Sequence, residues 1–232
     1  MKAREEIRAL ANKEIAQHSL RFFKTDKGEY GHGDLFLGVR APQIRLIAKK
    51  HIDISITDMK TLIQSKYHEE RFLGLIILVN KYAKTKDKKT KNQLYKIYIS
   101  SFKYINGWDL VDVTCPHVTG KHLIDKDRTI LYKWAKSEDL WTKRIAMVST
   151  FSFIRKNDLE DTFKIAEILL QDKHDLIHKA VGWMLREAGK RDIKKEEAFL
   201  KKHYKTMPRT MLRYSIEKFP ETKRQKYLKG TI

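Results

Sequence analysis

The sequence predicts an all-α fold, and three observations carry that prediction. Apolar residues recur at three- and four-residue spacing through most of the chain, the period of a helix with one buried face. Turn formers are scarce, with only 10 Gly and 4 Pro among 232 residues, too few to punctuate a many-stranded sheet. Four of the helical segments also follow a shared plan, which points to stacked repeats rather than an arbitrary bundle.

In chain order, the pattern predicts helices over 5–20, 44–52, 68–82, 93–105, 140–154, 159–170, 176–188 and 207–219, part of a set of about a dozen with short connections. Pro42, Pro208 and Pro220 each open a helical stretch, where a missing N–H costs no bond. Asp158 precedes LEDTFKIAEILL as an expected N-cap, with Asp161 completing a weak capping box. The segment KGEYGHGDLFLG (27–38) departs from the helical pattern. Two readings stand for it: a short hairpin tip that probes a DNA groove or junction, and a plain loop. No Ser-, Gly- or Pro-rich linker interrupts the chain, so 1–232 reads as a single domain.

The shared plan is visible in HEERFLGLIILVNKY (68–82), WTKRIAMVSTFSFIRK (141–156), IHKAVGWMLREAGKR (177–191) and PRTMLRYSIEKF (208–219). Each begins polar, carries a basic residue in its first turn (Arg71, Arg144, Lys179, Arg209), then turns apolar. The steps between them are one or two units of roughly 30–40 residues, the range of HEAT-like repeats. Stacked units of this kind form an α-solenoid, burying a continuous core and lining one concave surface with equivalent positions. Trp108, Arg144 and Trp183 fall in successive units, and Arg213 follows Arg209 by one turn, so the expected surface is a basic groove with interleaved indoles.

Charge narrows the partner class, and nucleic acid, an anionic membrane surface and plain solubility all fit it. Lys+Arg of 49 against Asp+Glu of 29 leaves a net +20, a self-repulsion that a polyanion such as nucleic acid relieves. The longest apolar run, LGLIILV (73–79), is too short for a membrane span, and MKAREEIRAL lacks the apolar core of a secretory signal. One cysteine permits no internal disulfide and suits a cytoplasmic protein. Nucleotide-cradle and zinc signatures are missing, His174 and His178 lack a third ligand nearby, and Pro116 separates Cys115 from His117. No metal or cofactor is therefore expected.

The stretch INGWDLVD (105–112) sets the chemistry. On a helix, Trp108 and Asp112 lie one turn apart on one face. Basic side chains in a groove neutralise phosphates, and tryptophans pack on sugars or bases. A carboxylate there repels the backbone unless it meets a specific cation. An alkylated purine is such a cation, and cleaving its glycosidic bond passes through an oxocarbenium-like sugar that a fixed carboxylate stabilises.

WDLVD (108–112), LWTKRIAMVSTFSFIR (140–155) and HKAVGWMLRE (178–187), preceded by FLGVRAPQIR (36–45), resemble the AlkD-type DNA alkylation repair proteins over nearly the whole chain. The resemblance implies a HEAT-like repeat fold around a basic DNA-binding surface. It also implies a monomeric, monofunctional glycosylase that excises N3- and N7-alkylated purines from double-stranded DNA without extruding the base. By the same resemblance Asp112 is the catalytic carboxylate, Trp108 and Trp183 pack on the lesion's deoxyribose, and Arg144 holds the flanking phosphate. Arg71, Lys179, Arg209 and Arg213 add DNA contacts. The family's N-terminal tyrosine has Tyr30 as its candidate here, with Phe22 and Phe23 as alternatives. The 27–38 stretch resembles a subgroup whose hairpin favours branched DNA, so a non-catalytic binder of distorted or branched DNA is the first rival. A helical scaffold for an acidic protein is the second.

Overall fold

The computed structural model describes residues 1–232 and is helical throughout, with 68% of residues in helices and no strand. The chain packs as two compact units, Met1–Val118 and Thr119–Ile232. No helix is long and apolar enough to cross a membrane.

The first unit contains α1 (Lys2–Ala9), α2 (Lys13–Phe22), α3 (Ala41–Lys50), α4 (Ile56–Ile63), α5 (His68–Lys84), α6 (Lys88–Ser100) and α7 (Trp108–Asp112). Its centre is α5, which packs on α3, α4 and α6. The run LGLIILV belongs to this helix, and it is apolar on all sides because Leu73, Leu75, Ile77 and Leu78 are all fully buried. Gly74 lets α4 approach, since a Cβ there would lie 2.8 Å from the Ile63 side chain.

The helix expected over 5–20 is broken in two. Asn12 caps α2, its side chain accepting the Ile15 N–H at 3.0 Å, while its own N–H donates to the Leu37 carbonyl at 2.9 Å. A continuous helix would have denied the segment before α3 that donor. Residues 27–38 form successive turns and not a hairpin. Gly28 and Gly33 take positive φ, and the one ladder contact is an isolated parallel bridge between Leu35 and Tyr67.

The second unit contains α8 (Lys121–Leu123), α9 (Thr129–Ala135), α10 (Leu140–Ser149), α11 (Phe151–Ile154), α12 (Glu160–Ile168), α13 (Asp175–Gly189), α14 (Ile193–His203), α15 (Arg209–Ser215) and α16 (Glu221–Lys229). Three helices of the shared plan stack in series: α10 packs on α13, and α13 packs on α15. This is the arrangement a helical repeat requires. Gly182 sits at the second contact, where a Cβ would lie 2.5 Å from the Met211 carbonyl oxygen and from Tyr214.

Two expected boundaries move. Leu159, not Asp158, stands at the N-cap of α12. The Asp158 carboxylate instead accepts from Arg128 at 2.6 Å, and Asp161 accepts from the same guanidinium nitrogen at 2.7 Å. A charged partner outcompetes the weaker backbone cap. The pattern over 207–219 ends as a 3-10 turn, Ile216–Lys218, after α15.

Glu196, on α14, is 2% exposed, and its Oε1 has no hydrogen-bond partner. Burial, then the neighbouring Glu197 charge, pushes its carboxyl up to about 8 against the pull of Arg186.

Gly38 and Glu196 both bear on stability. Gly38 has φ +79°, and a Cβ there would lie 2.0 Å from the Asn12 carbonyl oxygen. Gly38→Ala should cost at least about 3 kcal/mol in urea unfolding, whereas Gly28→Ala, with open space around it, should cost about 1 kcal/mol from its positive φ alone. Because the Glu196 pKa is raised on folding, its stabilising protonation is complete below pH 4.5 and lost as pH rises through about 8. Glu196→Gln should therefore raise the melting temperature at pH 9 and change it little at pH 4.

Candidate functional site

The helix bearing the WDLVD motif is five residues long, and neighbouring groups hold it in place. Leu110 and Val111 are fully buried, which leaves Trp108 and Asp112 half-buried and partly open to solvent. Gly107 precedes the helix in extended conformation, and a Cβ there would crowd Asp109 Oδ1 at 2.8 Å and His68 Cε1 at 3.1 Å. At the other end Thr114 bonds the Leu110 carbonyl at 2.5 Å and the Tyr98 hydroxyl at 2.6 Å. Burial, then Cys115 and the Asp112 carboxylate, hold the Tyr98 phenol well above its ordinary range, so a neutral phenol stands near Asp112. Cys115 is fully buried at the break that follows α7.

What fixes α7 from beneath is the first turn of α5, the HEER quartet. His68, Glu69, Glu70 and Arg71 are all at most 4% exposed. The His68 ring lies between two carboxylates, with Nδ1 3.0 Å from Asp34 Oδ2 and Nε2 2.8 Å from Asp109 Oδ2. Burial opposes its charge, but Asp109 and Asp34 outweigh that and push the imidazole up to about 9, so it donates from both nitrogens at neutral pH. Burial likewise opposes the Asp34 charge, and the His68 hydrogen bond and Arg71 outweigh it, holding that carboxyl below its ordinary range.

Arg71, expected among the DNA-contacting cations, belongs to this interior. Its Nη2 donates to both Asp34 oxygens at 2.7 and 2.8 Å and to Asn106 Oδ1 at 2.8 Å, and its Nη1 donates to the Ser65 carbonyl at 3.0 Å. Glu69 accepts the backbone N–H groups of Leu37 and Gly38, both at 2.8 Å, and Glu70 pairs with Arg4 and Arg8.

Rings cover this network. Phe23 stacks on Trp108 at 5.7 Å and meets His68 at 4.8 Å, Phe36 stacks on His68 at 4.9 Å, and Phe22 meets Trp108 edge-on at 5.9 Å. The rings against Trp108 thus include both alternatives to the expected tyrosine, while Tyr30 is half-buried among the 27–38 turns. Beside them lies a cavity of about 620 Å³ between α2, α3 and the start of α5.

The remaining candidates belong to the second unit. Trp183 is half-buried on α13 with its ring 5.8 Å from Phe151. Arg144 is 5% exposed and donates to the Leu176 carbonyl. Lys179 pairs with Asp175 at 2.7 Å, Arg209 donates to the Leu228 carbonyl at 2.9 Å, and Arg213 is exposed. His174 caps α13 through its Nδ1, and His178 bonds the Asp172 carbonyl at 2.6 Å.

Sequence reasoning missed His68, Asp34 and Glu69. The only local signal was a histidine and two acids opening an otherwise apolar helix, which reads equally well as a solvated start.

The His68 network has a pH signature. Its folded pKa lies above the ordinary 6.5, so its contribution is complete below pH 6.5 and lost as pH rises through about 9, a loss of about 3 kcal/mol. Asp34, depressed on folding, acts oppositely, and its contribution disappears only in acid. Urea unfolding from pH 6 to 10 should show the alkaline loss in the wild type, and His68→Gln should flatten it.

The family described as DNA alkylation repair enzyme matches residues 3–219. A solved structure described as a predicted DNA alkylation repair enzyme from Enterococcus faecalis superposes with TM-score 0.71 at 16% identity, covering 91% of this chain and 97% of that one. AlkD2 from Streptococcus mutans superposes with TM-score 0.56 at 17% identity, covering 94% of this chain and 95% of its own. No curated protein matches the sequence. At these identities the two structures speak for the fold, whereas the family match spans nearly every element described above: the chain belongs to the DNA alkylation repair enzyme family.

Proposed function

We propose that this protein is a monofunctional DNA glycosylase that hydrolyses the N-glycosidic bond of cationic N3- and N7-alkylated purines, acting as a monomer on double-stranded DNA. The observation that carries the reading is Asp112: a half-buried aspartate one turn from a half-buried indole, on a short helix fixed by buried bonds, in a chain of net charge +20.

In this reaction the C1′–N bond breaks and its electron pair moves onto the base, neutralising the ring's positive charge. The base therefore leaves without needing a proton. Asp112 stabilises the developing oxocarbenium and orients the water whose oxygen bonds to C1′, and the water's surplus proton passes to the carboxylate or to solvent. Trp108 packs on the deoxyribose and keeps bulk water from that face. The family resemblance gives Trp183 a second sugar contact and Arg144 a phosphate. Exposed Arg213, with Arg209 and Lys179, supplies further backbone contacts. Arg71 takes no part in them, because its guanidinium is committed to Asp34 and Asn106.

The test is release of 7-methylguanine and 3-methyladenine from alkylated DNA. Asp112→Asn should lower the rate by about two to three orders of magnitude while DNA affinity is kept. No release by the wild type would overturn the proposal. Arg213→Ala should make the slope of log affinity against log salt shallower by about 1, as expected for one lost phosphate contact.

A further inference from the structure

We infer that the cavity of the first unit is a receptor for one unpaired nucleobase, with its phosphate held at the mouth by Arg40. The inference rests on the reading of this chain as a DNA-binding protein and does not depend on glycosidic cleavage.

Aromatic rings make up much of the cavity lining. Because Phe23 and Phe36 stack on each other and on Trp108 and His68, Phe22 is the ring most open to a ligand. Phe22, Phe23, Phe36 and Phe72 line it, His68 lies among them, and its volume of about 620 Å³ falls within the range of small-ligand sites. The His68 charge is already balanced by Asp34 and Asp109, so the aromatic wall takes a planar ring without leaving an ion uncompensated. Phe22 is 55% exposed, a large ring left in water at the opening. α2, which carries Phe22, has no buried residue. Arg40 is exposed at the same opening and begins α3, whose N-terminal dipole also favours a phosphate.

An apolar chain or lipid tail would gain from the rings but not from the polar mouth, where His18 and Ser19 can bond a base edge. A base on a phosphodiester uses both, and stacking on aromatic rings serves any base. Phe22 and Phe23 touch Trp108 as well as the cavity, so the bound base lies next to the indole assigned to the sugar. The occupant is therefore an unpaired base in a bulge, gap or flap.

The experiment compares affinity for a paired duplex with that for the same duplex carrying one unpaired adenine, in wild type and in Phe22→Ala. The wild type should bind the bulged duplex about tenfold tighter, the ratio worth one stacked base. Phe22→Ala should reduce that ratio to near unity with an unchanged melting temperature. Equal wild-type affinity for both duplexes, or a ratio untouched by Phe22→Ala, overturns the receptor and leaves the glycosylase reading standing. Lack of binding to either duplex overturns both. Binding to phosphatidylglycerol vesicles that abolishes the preference would reassign the cavity to lipid. Failure of base release alone removes the glycosylase and leaves the receptor intact.

Discussion

Burying His68, Glu69, Glu70 and Arg71 in a single helical turn is the constraint on which the first unit depends. Four ionisable side chains removed from water would cost many kcal/mol if left alone, so each must meet a partner fixed by the fold. The partners come from widely separated places: Arg4 and Arg8 on α1, Asp34 and backbone 37–39 before α3, and Asn106 and Asp109 around α7. Losing Asp34 would leave the buried Arg71 without its counter-ion. The turn therefore acts as a common anchor that commits three distant segments to one arrangement.

That anchor explains how a five-residue helix can hold the WDLVD motif in place. An isolated helix of that length has no stability of its own. α7 persists because Asp109 is tied to His68, Leu110 and Val111 are sealed in the core, and Thr114 is bonded to Tyr98. The two acids of the motif thus divide their work. Asp109 is tied to His68, while Asp112 is half-buried at the end of the helix near the Tyr98 phenol. Electrostatic catalysis depends on such preorganisation, since a carboxylate free to turn toward water would gain little at the transition state.

The fold and part of the site were legible in the residues. Period and composition carried the helices, and the shared plan of the segments at 141, 177 and 208 anticipated the stacking of α10, α13 and α15. Where the structure departs from the local pattern, a local rule had met a distant partner. Asn12 split one expected helix because the chain needed a cap and a bond to Leu37, and Asp158 gave up its cap to Arg128. Arg71 looked like its repeat equivalents, and only the folded chain paired it with the buried Asp34 carboxylate. In the 27–38 stretch the glycines did mark turns, but Asp34 and Glu69 fold the end of the segment onto α5 and not into a hairpin.

By itself, the sequence determined what depends on neighbours within a few positions: the helical class, the repeat, the large positive charge, and the pairing of Trp108 with Asp112 on one face. Tertiary structure decided which charges face water. HEER is one string of four polar letters whether it begins an exposed helix or sits at the centre of a unit. The choice was made by Asp34 and Asp109, 34 and 41 residues away from His68. Local pattern reports which face of a helix is apolar and where its ends are capped. The desolvation of an ion is settled by partners that only the folded chain brings within 3 Å.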